Sequence, residues 1–216
     1  MLNYINFLQD FEKAILESKR DIEEIDIIAV SKRKTQENII PILDHGHTSF
    51  GENQIQELKQ KWPSLRVKHK EVKIHFIGSI QSNKMSEIVN YSDYIHTIDR
   101  EKLVNIIAQM DKSIIKKKTF FIQVNTGNEP QKSGVYLRQA DEFIQLFKDK
   151  NLHVSGLMCI PPENEKPDEH FKSLQSIAKN NNIKNLSMGM TNDYHVALKY
   201  GSTHIRIGKA IFGERN

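Results

Sequence analysis

The sequence predicts an α/β fold, a single (β/α)8 barrel preceded by an extra N-terminal helix. Short β-branched or apolar runs alternate with charged, amphipathic segments throughout the chain, as in βα units repeated around a parallel sheet. Eight such runs can be counted, the number a closed barrel needs, and 216 residues lie near the lower end for that architecture. No linker-like composition, low-complexity tract or repeat beyond the βα rhythm interrupts it, so residues 1–216 read as one domain. The same alternation permits an open doubly wound sheet; the count favours the barrel.

In chain order, the N-terminus places Leu2, Ile5, Leu8, Ile15 and Leu16 near helical spacing with acids between them, which predicts a helix and not a signal peptide. The expected strands are 25–30 (IDIIAV), 48–53 (TSFGEN), 73–78 (KIHFIG), 94–99 (YIHTID), 120–125 (FFIQVN), 154–160 (VSGLMCI), 185–190 (NLSMGM) and 204–208 (HIRIG). The clearest helix spans 136–150, where Leu137, Ala140, Ile144 and Phe147 recur at three- or four-residue spacing, and 101–110 reads alike. Thr35, Asn83, Asp99 and Asn192 precede helical stretches and are expected as caps. The polar stretch 161–167 is expected as a surface loop.

Composition narrows the function classes. Hydrophobic residues at 38 % and charged residues at 27 % describe a soluble globular protein, and no apolar run is long enough for a bilayer. A cytoplasmic protein with no membrane partner is expected. The lone Cys159 lies in an apolar stretch and reads as a buried thiol in a reducing compartment. The charge is +4 and the pI about 9.0, but the basic residues are scattered among 27 acids without a recognition motif, so no nucleic-acid partner is expected. His45 and His47 only flank Gly46, and no paired-Cys or HExxH spacing occurs, so no metal is expected.

In such a barrel, chemistry sits just past the C-terminal ends of the strands. Lys32 follows the first apolar run, which places its amine at a dry rim where desolvation favours the neutral, nucleophilic form. Closure brings the eighth strand beside the first, making Arg206 and Gly208 neighbours of Lys32. The run GSTHIRIGKAIFG ends in a glycine and a short helical turn, whose backbone N–H groups suit a phosphate. On the seventh strand Ser187 and Thr191 carry hydroxyls, and Gly189 allows close backbone approach. A lysine opposite a phosphate cradle describes a site for pyridoxal 5′-phosphate (PLP); taken singly, each glycine is also explained by a tight turn.

Seven blocks in order, AVSK (29–32), FGENQIQE (50–57), HFIGSIQSNK (75–84), VNTGNEPQKSG (124–134), GLMCIPP (156–162), LSMGMTND (186–193) and GSTHIRIGKAIFG (201–213), give the chain a resemblance to the pyridoxal-phosphate homeostasis protein family. That resemblance implies a barrel like the N-terminal domain of alanine racemase, with the cofactor held as a Schiff base on Lys32 of the AVSK block. It also implies a phosphate pocket mapping to Ser187, Thr191, Arg206 and Gly208, and an Arg206 that faces the pyridine nitrogen. An arginine cannot protonate that nitrogen, so the ring is a poorer electron sink. The last block lies close to Asn216, so the second β domain that supplies a tyrosine base in racemases is not expected here.

Further motif residues have weaker readings. Asn53 is expected to hydrogen-bond the cofactor or shape the rim, Glu52 to orient it or pair with a lysine, and His75 to be a hydrogen-bonded core histidine. Asn83 and Lys84 begin a helix at the rim, and Glu129, Lys132 and Gly134 resemble the family's ExxKxG block, a contact for a second ligand or protein. Two departures occur: Ile74 stands where the family commonly has Trp, and Thr191 where it has Ser. Thr keeps the hydroxyl.

The resemblance and the chemistry together imply a PLP-binding protein of vitamin B6 homeostasis, a monomer without catalytic turnover, whose partners are PLP and the PLP-dependent or B6-salvage enzymes that exchange it. The alternative from another class is a small PLP-dependent amino-acid racemase with Lys32 as one base. A barrel aldolase is disfavoured because its Schiff-base lysine usually lies on a later strand.

Overall fold

In the computed structural model, which describes residues 1–214, helix α1 (Leu2–Ser18) is followed by strand β1 (Asp26–Val30), α2 (Gln36–Asp44), β2 (Ser49–Glu52), α3 (Ile55–Lys68), β3 (Lys73–Phe76), α4 (Met85–Tyr91) and β4 (Tyr94–Ile98). Next come α5 (Glu101–Ala108), α6 (Lys112–Ile115), β5 (Thr119–Asn125), the two-residue β6 (Val135–Tyr136), α7 (Ala140–Asp149), β7 (Gly156–Cys159) and α8 (Pro167–Asn180). Then β8 (Asn185–Met190), α9 (Tyr194–Lys199), β9 (His204–Ile207) and α10 (Lys209–Phe212) complete the chain.

The sheet order is β4-β3-β2-β1-β9-β8-β7-β5-β6, and β4 also pairs with β5, so every strand except β6 belongs to a closed parallel ring. Ring closure sets β9 against β1 with Ile28 opposite Arg206 and Ala29 opposite Ile207. β6 pairs only with the end of β5, outside the ring.

Strand residues that point outward meet the helices in a dry layer that includes Ile39, Leu58, Trp62, Ile88, Val104, Phe147, Phe171 and Leu198, all buried. Each such side chain contributes about 1.5–3 kcal/mol by leaving water. The interior is different. His75 on β3 lies near His204 on β9, and His96 on β4 bonds Ser187 on β8, contacts between strands that are not neighbours in the ring. The barrel lumen therefore carries polar and aromatic side chains.

The predicted strands all form, and so does the N-terminal helix. Tyr4, Phe7, Phe11 and Ile15 are buried, whereas Leu2 and Leu16 are 73 % and 78 % exposed. The aromatic stripe decides the face because Phe7 packs edge-on against Tyr194 at 5.7 Å and Tyr4 against His47 at 5.6 Å. The helix expected over 136–150 begins later: Val135–Tyr136 pairs with β5, a 3-10 turn covers Leu137–Gln139, and α7 follows. Thr35 caps α2, with its N–H donating to Asn38 Oδ1 at 3.3 Å. The residues at the starts of α5 and α9 are Arg100 and Asp193, one beyond the expected Asp99 and Asn192, and Asn83 lies within a 3-10 turn. Among the described residues no helix is long and apolar enough to cross a membrane.

Candidate functional site

The rim after β1 is a tight turn. Lys34 N–H donates to Ser31 O at 3.0 Å, which places Lys32 and Arg33 at its two central positions. Arg33 adopts φ 61°, a left-handed conformation costing about 1–2 kcal/mol for a residue with a side chain. Glu57 holds it there, because Arg33 N–H donates to Glu57 Oε2 at 2.6 Å. Lys32 is half-buried at the mouth of the barrel.

A buried charged platform supports this turn. Ser31 Oγ donates to Glu52 Oε1 at 2.7 Å and Trp62 Nε1 donates to the same oxygen at 3.2 Å. Lys61, on α3, donates to Ser31 O at 2.9 Å and to Glu57 Oε2 at 2.6 Å, and its ammonium lies 2.7 Å from Glu52 Oε1. Burial raises the Glu52 pKa, while Lys61 and Ser31 oppose that shift. Burial also pushes Glu57 upward, but hydrogen bonds from Lys61 and Arg33 hold it below its ordinary value.

Lys32 and Gly208 line one cavity of about 350 Å³, together with Val30, Lys34, Lys209, Gly213 and Glu214. Among the described residues three lysines and one glutamate line the cavity, and Lys209 pairs with that Glu214, a lining that suits an anion. Lys34 Nζ donates to Phe212 O at 3.3 Å and ties the turn after β1 to α10.

Below the rim, Arg206 is buried and donates from Nη1 to Ser187 Oγ at 2.8 Å and from Nη2 to Cys159 O at 2.9 Å. These two bonds fix the guanidinium plane across β9, β8 and β7. Burial lowers the Arg206 pKa, and burial pushes the neighbouring Cys159 thiol up to about 12, so Cys159 stays a neutral thiol. The guanidinium itself remains a cation at any physiological pH.

Asn53 follows β2, and its Oδ1 is buried without a hydrogen-bond partner among the described residues. A Cβ at Gly78 would come within 2.0 Å of Asn53 O, so the glycine lets the loop after β3 pack directly on the Asn53 backbone. Thr191 follows β8 and is half-buried. Gly189, two residues earlier, has φ 95° and passes Tyr194 and Ala197 at distances that leave no room for a side chain.

Of the residues singled out in the sequence, Lys32 and Gly208 meet in the cavity, and Arg206 and Ser187 meet beneath the rim. The Ser187 hydroxyl is fully buried and engaged by Arg206 and His96. It lies three residues before the end of β8, inside the barrel and not at its lip. Glu52 takes the lysine-pairing role, with Lys61. His75 is a hydrogen-bonded core histidine, with Nδ1 3.0 Å from His96 Nε2. Glu129 and Lys132 form an ion pair at 2.6 Å, and Lys84 pairs with Glu87 at 3.0 Å. Sequence reasoning did not find Lys61, Glu57 or His96. Lys61 sits among other lysines of a charged helix, and nothing in its spacing marks it as the buried one.

The alanine racemase N-terminal domain family matches residues 12–216. Curated relatives called pyridoxal phosphate homeostasis protein include that of Vibrio alginolyticus, 38 % identical over 91 % of this chain and 89 % of its own length. That of Pasteurella multocida is 33 % identical over 99 % and 97 %. Among solved structures, PipY of Synechococcus elongatus PCC7942 with PLP bound is 27 % identical, covers 93 % of this chain and 97 % of its own, and has a TM-score of 0.77. Alanine racemase from Acinetobacter baumannii, at 12 % identity and a TM-score of 0.74, shares the fold, with 99 % of this chain covering 61 % of that one. On this evidence the chain belongs to the pyridoxal phosphate homeostasis protein family, built on the alanine racemase N-terminal domain.

Proposed function

We propose that this chain is one PLP-binding barrel domain that holds the cofactor at the rim through Lys32 and serves PLP homeostasis as a carrier, not as an enzyme. The carrying observation is the cavity in which the Lys32 turn and the Gly208 turn meet, lined among the described residues by Lys32, Lys34 and Lys209 and set by the β1–β9 pairing. PLP when bound supplies an aldehyde for an amine, a dianionic phosphate and a pyridine nitrogen. The residues present fit those groups. Lys32 offers the amine. Gly208 and Thr191 follow β9 and β8 at the same end of the barrel and suit the phosphate, Asn53 brings a buried oxygen without a partner among the described residues, and Arg206 offers a fixed donor for the nitrogen.

Arg206 also argues for carriage. A guanidinium donates hydrogen bonds but releases no proton, so it orients a ring without making it a strong electron sink. Comparable relatives carry a homeostasis name, and PipY has been solved both with and without PLP, as reversible holding requires. The recipients in this reading are PLP-dependent or B6-salvage enzymes, met in the cytoplasm by a monomer.

The test is to load purified protein with PLP, remove free cofactor, and add a PLP-requiring apoenzyme alongside an alanine racemisation assay. Recovery of apoenzyme activity without racemisation is the expected result. Racemisation by wild type that Lys32→Ala abolishes would replace the carrier with a small racemase.

A further inference from the structure

Behind Arg206 a chain of polar side chains runs through the lumen toward the opposite end of the barrel. Ser187 Oγ, which accepts from Arg206, lies 2.8 Å from His96 Nδ1, and His96 Nε2 lies 3.0 Å from His75 Nδ1. His75 Nε2 then faces Asp26 Oδ2 at 3.5 Å, an electrostatic contact longer than a formed hydrogen bond. Ser187, His96 and His75 are fully buried. Asp26 is partly exposed and lines a second cavity of about 420 Å³ with Tyr4, His45 and His47, at the N-terminal end of β1.

Counting protons fixes the direction of this chain. Arg206 can only donate, so Ser187 Oγ accepts from it and its one hydrogen is left for His96 Nδ1. His96 is then the Nε2–H tautomer and donates to His75 Nδ1, which leaves His75 Nε2–H directed at the Asp26 carboxylate. The reverse order would strand the Ser187 hydrogen in a buried site, at about 1–3 kcal/mol. Every dipole in the chain therefore turns its negative end toward the guanidinium and its positive end toward Asp26.

Both histidines must be neutral for this order, and their surroundings keep them so. Asp26, His204, Lys73 and His47 face His75; His75, His204 and Arg206 face His96. Burial dominates, with His75 pushed down to about 3 and His96 well below its ordinary value. Among the described residues no group of histidine, cysteine or carboxylate side chains could hold a metal, so the cluster reads as a hydrogen-bond relay.

We propose that His96 and His75 are positioning residues, which orient Arg206 through Ser187 and carry the field of Asp26 to it as a relayed ion pair. The role toward ligand rests on the reading above, in which Arg206 faces bound PLP. Loss of the His96 acceptor frees the Ser187 hydroxyl to turn away and loosens one of the two bonds that fix the guanidinium.

The test has two parts. In ligand-free, 15N-labelled wild type, long-range 1H–15N spectra should show His75 and His96 as neutral Nε2–H tautomers between pH 5.5 and 8; a proton on His96 Nδ1 would overturn the proposal. PLP titration then compares His96→Phe, which keeps a ring on Phe121 but has no acceptor, with His96→Asn, which returns an acceptor near Nδ1. Loss of one charge-supporting bond should weaken binding about tenfold in His96→Phe and move the visible band, with His96→Asn recovering most of both. Wild-type affinity and band position in a folded His96→Phe would refute the relay while leaving the PLP site standing. A folded wild type that takes up no PLP would instead refute the site itself, and with it the role of the relay toward that ligand.

Discussion

The ammonium of Lys61 stands 2.7 Å from Glu52 Oε1, and both side chains are buried directly beneath the turn that carries Lys32. Four groups, Lys61, Glu52, Glu57 and Ser31, share one bonded cluster, so the position of Lys32 depends on a charge balance two residues deep in the wall. A buried pair adds little net stability over an apolar replacement, but removal of one partner strands the other.

Lys61→Met should accordingly cost about 3–5 kcal/mol, read as a fall in the urea midpoint at neutral pH. The double variant Glu52→Leu with Lys61→Met should recover a large part of that loss. A single variant within about 0.5 kcal/mol of wild type would show that the cluster carries no such charge.

Most of the barrel was legible in the sequence, and the reasons are physical. The strand faces turned to the helices must be apolar or β-branched, and parallel neighbours need helical crossovers, so the βα rhythm was written in the chain. The rim lysine was legible because the strand before it is unmistakable. The support beneath it was not, since Lys61 lies on a helix with Lys59 and Lys68 and only the tertiary packing of α3 buries one of them. Ser187 and His96 were equally hidden. A hydroxyl or imidazole inside a strand has the same sequence signature whether it faces ligand or lumen, and β8 needed its full register before Ser187 could be seen to point inward.

Acid should destabilise the protein through the lumen histidines. Burial holds His75 at about 3 and His204 at about 4 in the folded state, against an ordinary value of 6.5. Below pH 6.5 the unfolded chain binds protons that the folded chain refuses, so the contribution is complete above 6.5 and is lost as pH falls toward 4 and 3. The limiting slope is about 1.4 kcal/mol per pH unit for each histidine. Urea unfolding at steps from pH 7.5 to 4.5 measures it, and a His75→Gln variant should show a shallower slope over the same interval.

Gly78→Ala should disturb the site from outside it. The added Cβ would stand 2.0 Å from Asn53 O, a backbone atom that cannot swing aside. The loop after β2 must shift, carrying Asn53 with it. Weaker PLP retention with near-normal secondary structure is expected, checked by equilibrium dialysis and far-UV circular dichroism; unchanged retention would separate Asn53 from the cofactor.

Lys32 itself gives the most direct test. Purified wild type and Lys32→Ala should be mixed with PLP, followed in the visible spectrum, reduced with borohydride and mapped by peptide mass spectrometry. A visible band and a reduced PLP adduct on Lys32 in wild type, both missing from the variant, are expected. A variant indistinguishable from wild type, or an adduct confined to other lysines, would contradict a cofactor site built on the turn after β1.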